Sequence, residues 1–311
     1  MVYRFLAATI LATATCLFAQ EGPVATQSIV TVDSKSPQTL TSKNLTVKVN
    51  RRETQVSNVV PVPANGIQVA LLIDDGLRTS VGRQLPDLKS FITSLPAGVE
   101  IFIGYMQNGR IVPEQDFTTD HAMAAANLRL PMGSPGASAS PYFCLSDFVK
   151  KWPGGSGAEG AMLTPKARFV MMLTNGVDPY NGSTNITNQN SPYVDAAISD
   201  AQRAGVPVYS IYYGDTGFRG GSASFSGQSY LLSVAQSTGG QAYYQGTGNP
   251  VSLTPFLKQF TKAMAESYVA TFDVSGKGNL VDLKFETTLK STKLQAPQMV
   301  RPGTKITATG N

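Results

Sequence analysis

Four apolar runs constrain this chain most: Ile67–Ile73, Val99–Tyr105, Arg168–Leu173 and Val206–Tyr213. Each has the length of a strand and is nearly continuous rather than alternating, the pattern of a strand covered on both faces. Between and after them lie stretches of helical spacing: Val81–Leu95, Asp120–Leu130, Pro141–Trp152, Ser191–Ala204, Gln228–Thr238 and Ser252–Ser267. Strands alternating with helices in this way predict an α/β fold, a doubly wound and mostly parallel sheet with helices on both faces. The α/β unit spans residues 64–267.

Local signals set several boundaries. Ser191-Pro192 followed by Asp195 opens a helix with an N-cap, a proline at the first position and an early acid, and Gly205 closes it. Thr118 or Thr119 is the expected cap for the helix at Asp120, and Pro86 must sit near a first turn. Gly214–Gly227 reads as a Gly/Ser loop. Outside the unit, Ser28–Val32 and Leu45–Val49 alternate at period two, as do Tyr268–Val274 and Leu280–Leu289. Each β-rich flank, 20–63 and 268–311, is too small to bury a core alone. They are expected to pair into one antiparallel unit, or to extend one edge of the main sheet.

Met1–Arg4 and the apolar run Phe5–Ala19 have the layout of a secretory signal peptide, with cleavage after Ala19. The run is shorter than the roughly twenty residues that a bilayer span needs, and no later segment is apolar enough to supply one. The expected location is secreted or periplasmic, in the cell envelope, with no membrane insertion after cleavage. The 25 Lys and Arg against 20 Asp and Glu are interspersed, so no basic stripe for nucleic acid is present. One His and two Cys exclude a disulfide scaffold and the four-ligand zinc sites built on Cys or on Cys with two His. Any catalytic triad has His121 as its single histidine. Cys144, among Tyr142, Phe143, Leu145 and Phe148, reads as a small core residue. Gly155–Gly160 spells G-x-G-x-x-G, but it follows Trp152-Pro153 and precedes a strand, the wrong context for a dinucleotide.

Chemistry-bearing residues gather where the core strands end. Val69–Asp74 places a carboxylate at the end of the first, and Phe169–Thr174 leads into Asn175-Gly176-Val177-Asp178 at the end of another. Ala204–Gly214 then precedes Leu231–Gly240. In open α/β sheets ligands bind outside the carboxyl ends of the strands. Together these blocks resemble a von Willebrand factor A-type domain. With the flanking strands and signal peptide, the chain resembles the VWFA-related secreted proteins of the acidobacterial type.

That resemblance implies a Mg2+ site made by a D-x-S-x-S loop, a Thr in a later loop and an Asp after a central strand. Matched to this sequence, the first Asp is Asp74, the two Ser positions hold Gly76 and Arg78, the Thr position holds Ser140 and the late Asp position holds Asn175. Two hydroxyls are gone, a carboxylate has become an amide, and Arg78 brings a cation that can pair with Asp74. Thr79 and Ser80 can restore hydroxyls if the loop slides, and Asp75 or Asp178 a carboxylate. The site is therefore expected to be vestigial and metal-independent, with no cofactor; if Mg2+ binds, its ligands are Asp74, Ser80, Ser140 and Asn175.

The expected function is an exported, non-enzymatic binding, adhesion or assembly module. It would present Asp74–Ser80, Ser134–Tyr142, Asn175–Asn190 and Gly214–Gly227 to a protein or surface ligand. Asp74, Asp75, Gly76, Arg78, Ser80, Ser140, Asn175 and Asp178 are the candidate binding residues. The alternatives are a secreted hydrolase using Asp74, Asp75 or Asp178 with His121, and a structural envelope protein.

Overall fold

The computed structural model describes residues 22–133, 140–154, 165–180, 190–214, 220–246, 248–276 and 278–306, with backbone only at 220–225. The proposed signal peptide, Gly155–Gly160 and parts of three proposed binding loops lie outside these residues.

The chain begins in β structure: β1 (Val24–Ser34), β2 (Leu45–Val49), β3 (Arg52–Thr54) and β4 (Val56–Pro61). It then enters the alternating unit. Its strands are β5 (Ile67–Asp74), β6 (Glu100–Gln107), β7 (Arg110–Thr118), β8 (Ala167–Thr174), β9 (Val208–Tyr212) and β10 (Ala242–Tyr243). Its helices are α1 (Leu85–Thr93), α2 (His121–Ala126), α3 (Pro141–Lys150), α4 (Pro192–Ala204), α5 (Gly220–Thr238) and α6 (Thr254–Ala265). The chain returns to β structure in β11 (Ser267–Val274), β12 (Val281–Thr287), β13 (Thr292–Gln295) and β14 (Met299–Val300).

The central sheet has the order β10-β9-β8-β5-β6-β7. Numbered within the unit, that is the 3-2-1-4-5-6 order of a doubly wound sheet, read from the other edge. All pairs are parallel except β6 with β7. Asn108 and Gly109, both with positive φ, make the two-residue turn between those two strands. The apolar runs are continuous because both faces are covered. Val69, Leu71 and Ile73 of β5 face a core shared with α1 and α6, while Ala70 and Leu72 face one shared with α3, α4 and α5.

Strands from the two ends of the chain pair as an antiparallel sandwich. One sheet has the order β13-β1-β11-β4 and the other β14-β12-β2-β3. The β1–β11 pair runs from Val24 opposite Val274 to Thr31 opposite Ser267. Val30, Val32, Ala270 and Phe272 join Val47, Val281 and Leu283 in the core between the sheets. Ile29 and Val269 point the other way, into the α6 core of the central unit. The flanks thus form their own layer instead of lengthening the central sheet.

Three boundaries differ from expectation. The helix expected from Val81 starts as a 3-10 turn over Thr79–Gln84 and becomes α-helical at Leu85. Pro86 near its start lacks an N–H and cannot sit deep in an α-helix. Asp120, not a threonine, caps α2 by accepting from the Met123 N–H at 2.9 Å, while Thr118 accepts from the Asp120 N–H. Helix α5 begins at Gly220, inside the expected Gly/Ser loop.

Candidate functional site

At the switch point of a doubly wound sheet, the connections on either side leave a crevice outside the strand ends. Here that point lies between β5 and β8, and Asp74 ends β5 there with 2% of its surface exposed. Its Oδ1 accepts from the Gly76 N–H at 2.9 Å, and its Oδ2 accepts from the Thr174 hydroxyl at 2.7 Å. Thr174 ends β8, is fully buried, and also accepts from the Gly176 N–H at 3.1 Å. A hydroxyl between a carboxylate and an amide satisfies both and ties the two strand ends together.

Asp75 turns elsewhere. Its carboxylate is fully buried and accepts from both terminal nitrogens of Arg129, at 2.8 and 3.2 Å. The Met132 N–H at 2.9 Å and the Gln107 amide complete the set. Burial alone would raise the pKa of this carboxyl. The hydrogen bonds from Arg129, Met132 and Gln107 outweigh burial and hold it below the usual range. Arg129 also reaches Glu114 at 2.9 Å and lies 3.6 Å over the Tyr105 ring. Asp75 thereby fastens the segment after α2 to the end of β5.

The remaining candidates order loops. Ser140 is fully buried and caps α3 by accepting from the Tyr142 N–H at 3.3 Å. The Asn175 amide oxygen accepts from the Val177 N–H at 2.9 Å, a side-chain turn. Asp178 accepts from the Tyr180 N–H at 3.1 Å and the Ser191 hydroxyl at 2.7 Å, so it braces the cap of α4. Gly76 is half-buried, Ser80 is half-buried within the Thr79–Gln84 turn, and Arg78 and Thr79 are exposed at its start.

Mg2+ requires six oxygens in near-octahedral array, normally including one or two carboxylates. The residues at this switch point do not fit it. Asp74 is the carboxylate there, both its oxygens already accept hydrogen bonds, and Asp75 and Asp178 are turned into other contacts. Ser140 and Asn175 are engaged by backbone N–H groups. Among the described residues no three His, Cys, Asp or Glu side chains gather as a metal-binding group.

His121 lies away from the carboxylates with which a hydrolase would use it. Its Nε2 lies 2.8 Å from the Val99 carbonyl, just before β6 begins. Residues of β6 pair with β5 from Gln68↔Glu100 to Asp74↔Met106. Val99 is thus level with the start of β5, about 23 Å from Asp74 at about 3.3 Å per residue. Cys144 is buried in α3, and burial pushes its thiol up to about 12, as for an inert core cysteine.

The structure adds residues that the sequence did not single out. Thr174, Arg129 and Gln107 hold the two aspartates. An aromatic group also appears at this face: the Phe143 ring lies 5.4 Å from Tyr180 and 4.7 Å, edge-on, from Tyr193. Tyr180 is 55% exposed, and Met132 nearby in the Asp75 bracket is 66% exposed.

No family model matches this chain, and no curated protein matches it in sequence. Among solved structures, an aerotolerance-related membrane protein from Bacteroides fragilis, with multiple mutations to serines, is 10% identical. That match covers 64% of this chain and 98% of the other, at a TM-score of 0.39. The SpRpn10 VWA domain is 9% identical, over 62% of this chain and 94% of that one, at 0.39. The human COPII-coat protein Sec24c is 8% identical over 78% of this chain, which spans 44% of its length, at 0.40. The strand order and antiparallel edge, rather than these likenesses, place the chain in the doubly wound class, as the A-type resemblance implied.

Proposed function

We propose that this chain is an exported binding or assembly module that meets a protein or surface ligand through the carboxyl-end face of its central sheet, without a metal ion. One observation carries the reading: Tyr180, Tyr193, Met132 and Arg78 are exposed on segments that leave or bond the carboxyl ends of β5 and β8, while Asp74, Thr174 and Asp178 there are buried and engaged. Aromatic, Met and Arg side chains are the types enriched at interfaces, and rigid exposed aromatics act as anchors. In this reading Asp74, Thr174, Asn175 and Asp178 shape the face, and the exposed side chains contact the partner.

The reading is non-enzymatic, because the one histidine stands at the far end of the strands from every candidate carboxylate. Export rests on the layout of residues 1–19, and the envelope is the compartment proposed for the partner.

Affinity capture from an envelope fraction tests it, comparing the wild-type chain with an Arg78→Ala/Tyr180→Asp variant. Both positions are exposed, and circular dichroism checks that the variant keeps its fold. The account expects a partner retained by the wild type and lost by the variant. Equal recovery of every partner would move binding away from this face.

A further inference from the structure

Two sheet edges come together on the side of the molecule, away from the switch point. Strand β10 ends the central sheet and β13 ends one sheet of the sandwich. A side-chain clasp joins them, with the Gln295 amide donating to Gln241 Oε1 at 3.1 Å. Two clefts, of about 520 and 460 Å³, open on either side and share these two glutamines. The larger is lined by Leu232, Tyr244, Leu294 and Ala296 together with Gln236 and Gln298. Leu232 and Tyr244 are 37% and 47% exposed.

The second cleft carries charge. Lys35, Lys262 and Lys293 line it, against Asp33 and Glu266. Glu266 lies 3.6 Å from the Lys262 ammonium, which also donates to the Ser34 carbonyl. Lys35 and Lys293 are exposed and form no ion pair among the described residues. The clasp also has an unmet need: Gln295 Oε1 is buried with no hydrogen-bond partner among the described residues. A buried acceptor without a donor is unfavourable until some N–H or water reaches it.

We propose that this groove receives an extended acidic segment of another protein, added edge-on as a strand. Open edges offer backbone donors and acceptors in register, and strand addition uses them for affinity while side-chain pockets set specificity. A peptide N–H would satisfy Gln295 Oε1 once the Gln295 side chain swings out of its bond to Gln241. Alternate apolar side chains would rest on Leu232 and Tyr244, and acidic ones would meet Lys35 and Lys293. Strand β10 alone is about 14 Å, three strand spacings, from β5 across the sheet, and the groove lies beyond it, so the proposal stands apart from the carboxyl-end face.

Fluorescence anisotropy with the full chain at low salt tests it, using three labelled peptides. These are an alternating Glu-Val octapeptide, its Lys-Val counterpart, and the Glu-Val peptide N-methylated at alternate residues. The Glu-Val peptide should bind, with the other two weaker by roughly tenfold or more because one lacks charge complementarity and the other the edge hydrogen bonds. Lys35→Gln/Lys293→Gln, which removes both cations without setting a second acid opposite Asp33 in the β1–β13 register, should weaken binding by roughly tenfold or more with little change in melting temperature. Absent binding, equal binding of all three peptides, or binding unaffected by the double substitution would overturn the proposal. So would a concentration-dependent dimer that the Glu-Val peptide does not dissolve, since the groove would then join two copies of this chain.

Discussion

Asp74 and Asp75 adjoin in sequence, and the end of β5 sends them to different partners. Asp74 meets Thr174, 100 residues away, and Asp75 meets Arg129, 54 residues away. The sequence located both carboxylates at the end of a buried strand. It could not assign their partners, because those contacts depend on which strand lies beside β5 and on where the segment after α2 crosses. Arg129→Met removes the guanidinium from a fully buried carboxylate. The expected loss is about 2 kcal/mol, less than for a fully buried pair because the Arg129 side chain is 30% exposed. Denaturant unfolding measures it. The pH dependence follows from the depressed pKa of Asp75 and of Asp87. Asp87 is raised by burial but lowered further by bonds from the Ser252 hydroxyl and the Leu253 and Thr254 N–H groups. A depressed folded pKa contributes stability present above the unfolded value, about 3.9, and lost as pH falls through the folded value. The unfolding midpoint should therefore hold from neutral pH to about 4 and drop below it. Arg129→Met should show a shallower drop, since Asp75 would no longer be held low; an identical acid profile in both proteins would contradict this assignment.

Elements with strong periodicity were legible in the sequence. The buried strands show as continuous apolar runs, and α4 carries Ser191, Pro192 and Gly205, the last at φ +67°. Less legible was α5, whose first turns are rich in Gly and Ser and favour no local structure. Its course follows from packing: Gly227 leaves room for the Asn175 carbonyl, which a β-carbon there would approach to 2.1 Å. Gly176 answers from the loop, where φ is +66° and an added β-carbon would lie 2.6 Å from the Gly227 carbonyl. Gly227→Ala should therefore push the loop after β8 away from α5, at a cost of about 1–3 kcal/mol. Unfolding would report the loss, and amide exchange at Val177 should quicken as its bond to Asn175 loosens. Unchanged stability and exchange would mean that the two backbones are not in close contact.

For the whole molecule, strand–helix alternation was enough to predict the doubly wound class, because each parallel crossover must contain its own helix. The pairing of the flanks was less determined. Period-two segments announce half-buried strands, but whether they meet each other or the central sheet depends on contacts between the two ends of the chain, such as Val24 opposite Val274. The same limit applied to the aromatic group at the carboxyl-end face, since Phe143, Tyr180 and Tyr193 come from separate segments and meet only in the fold. The central claim is that Asp74 ties two strand ends together and leaves the binding face to exposed side chains. Calorimetric titration of Mg2+ and Mn2+ into the full chain tests it most directly. The account predicts no saturable binding; micromolar binding of either ion, lost on Asp74→Ala, would contradict it.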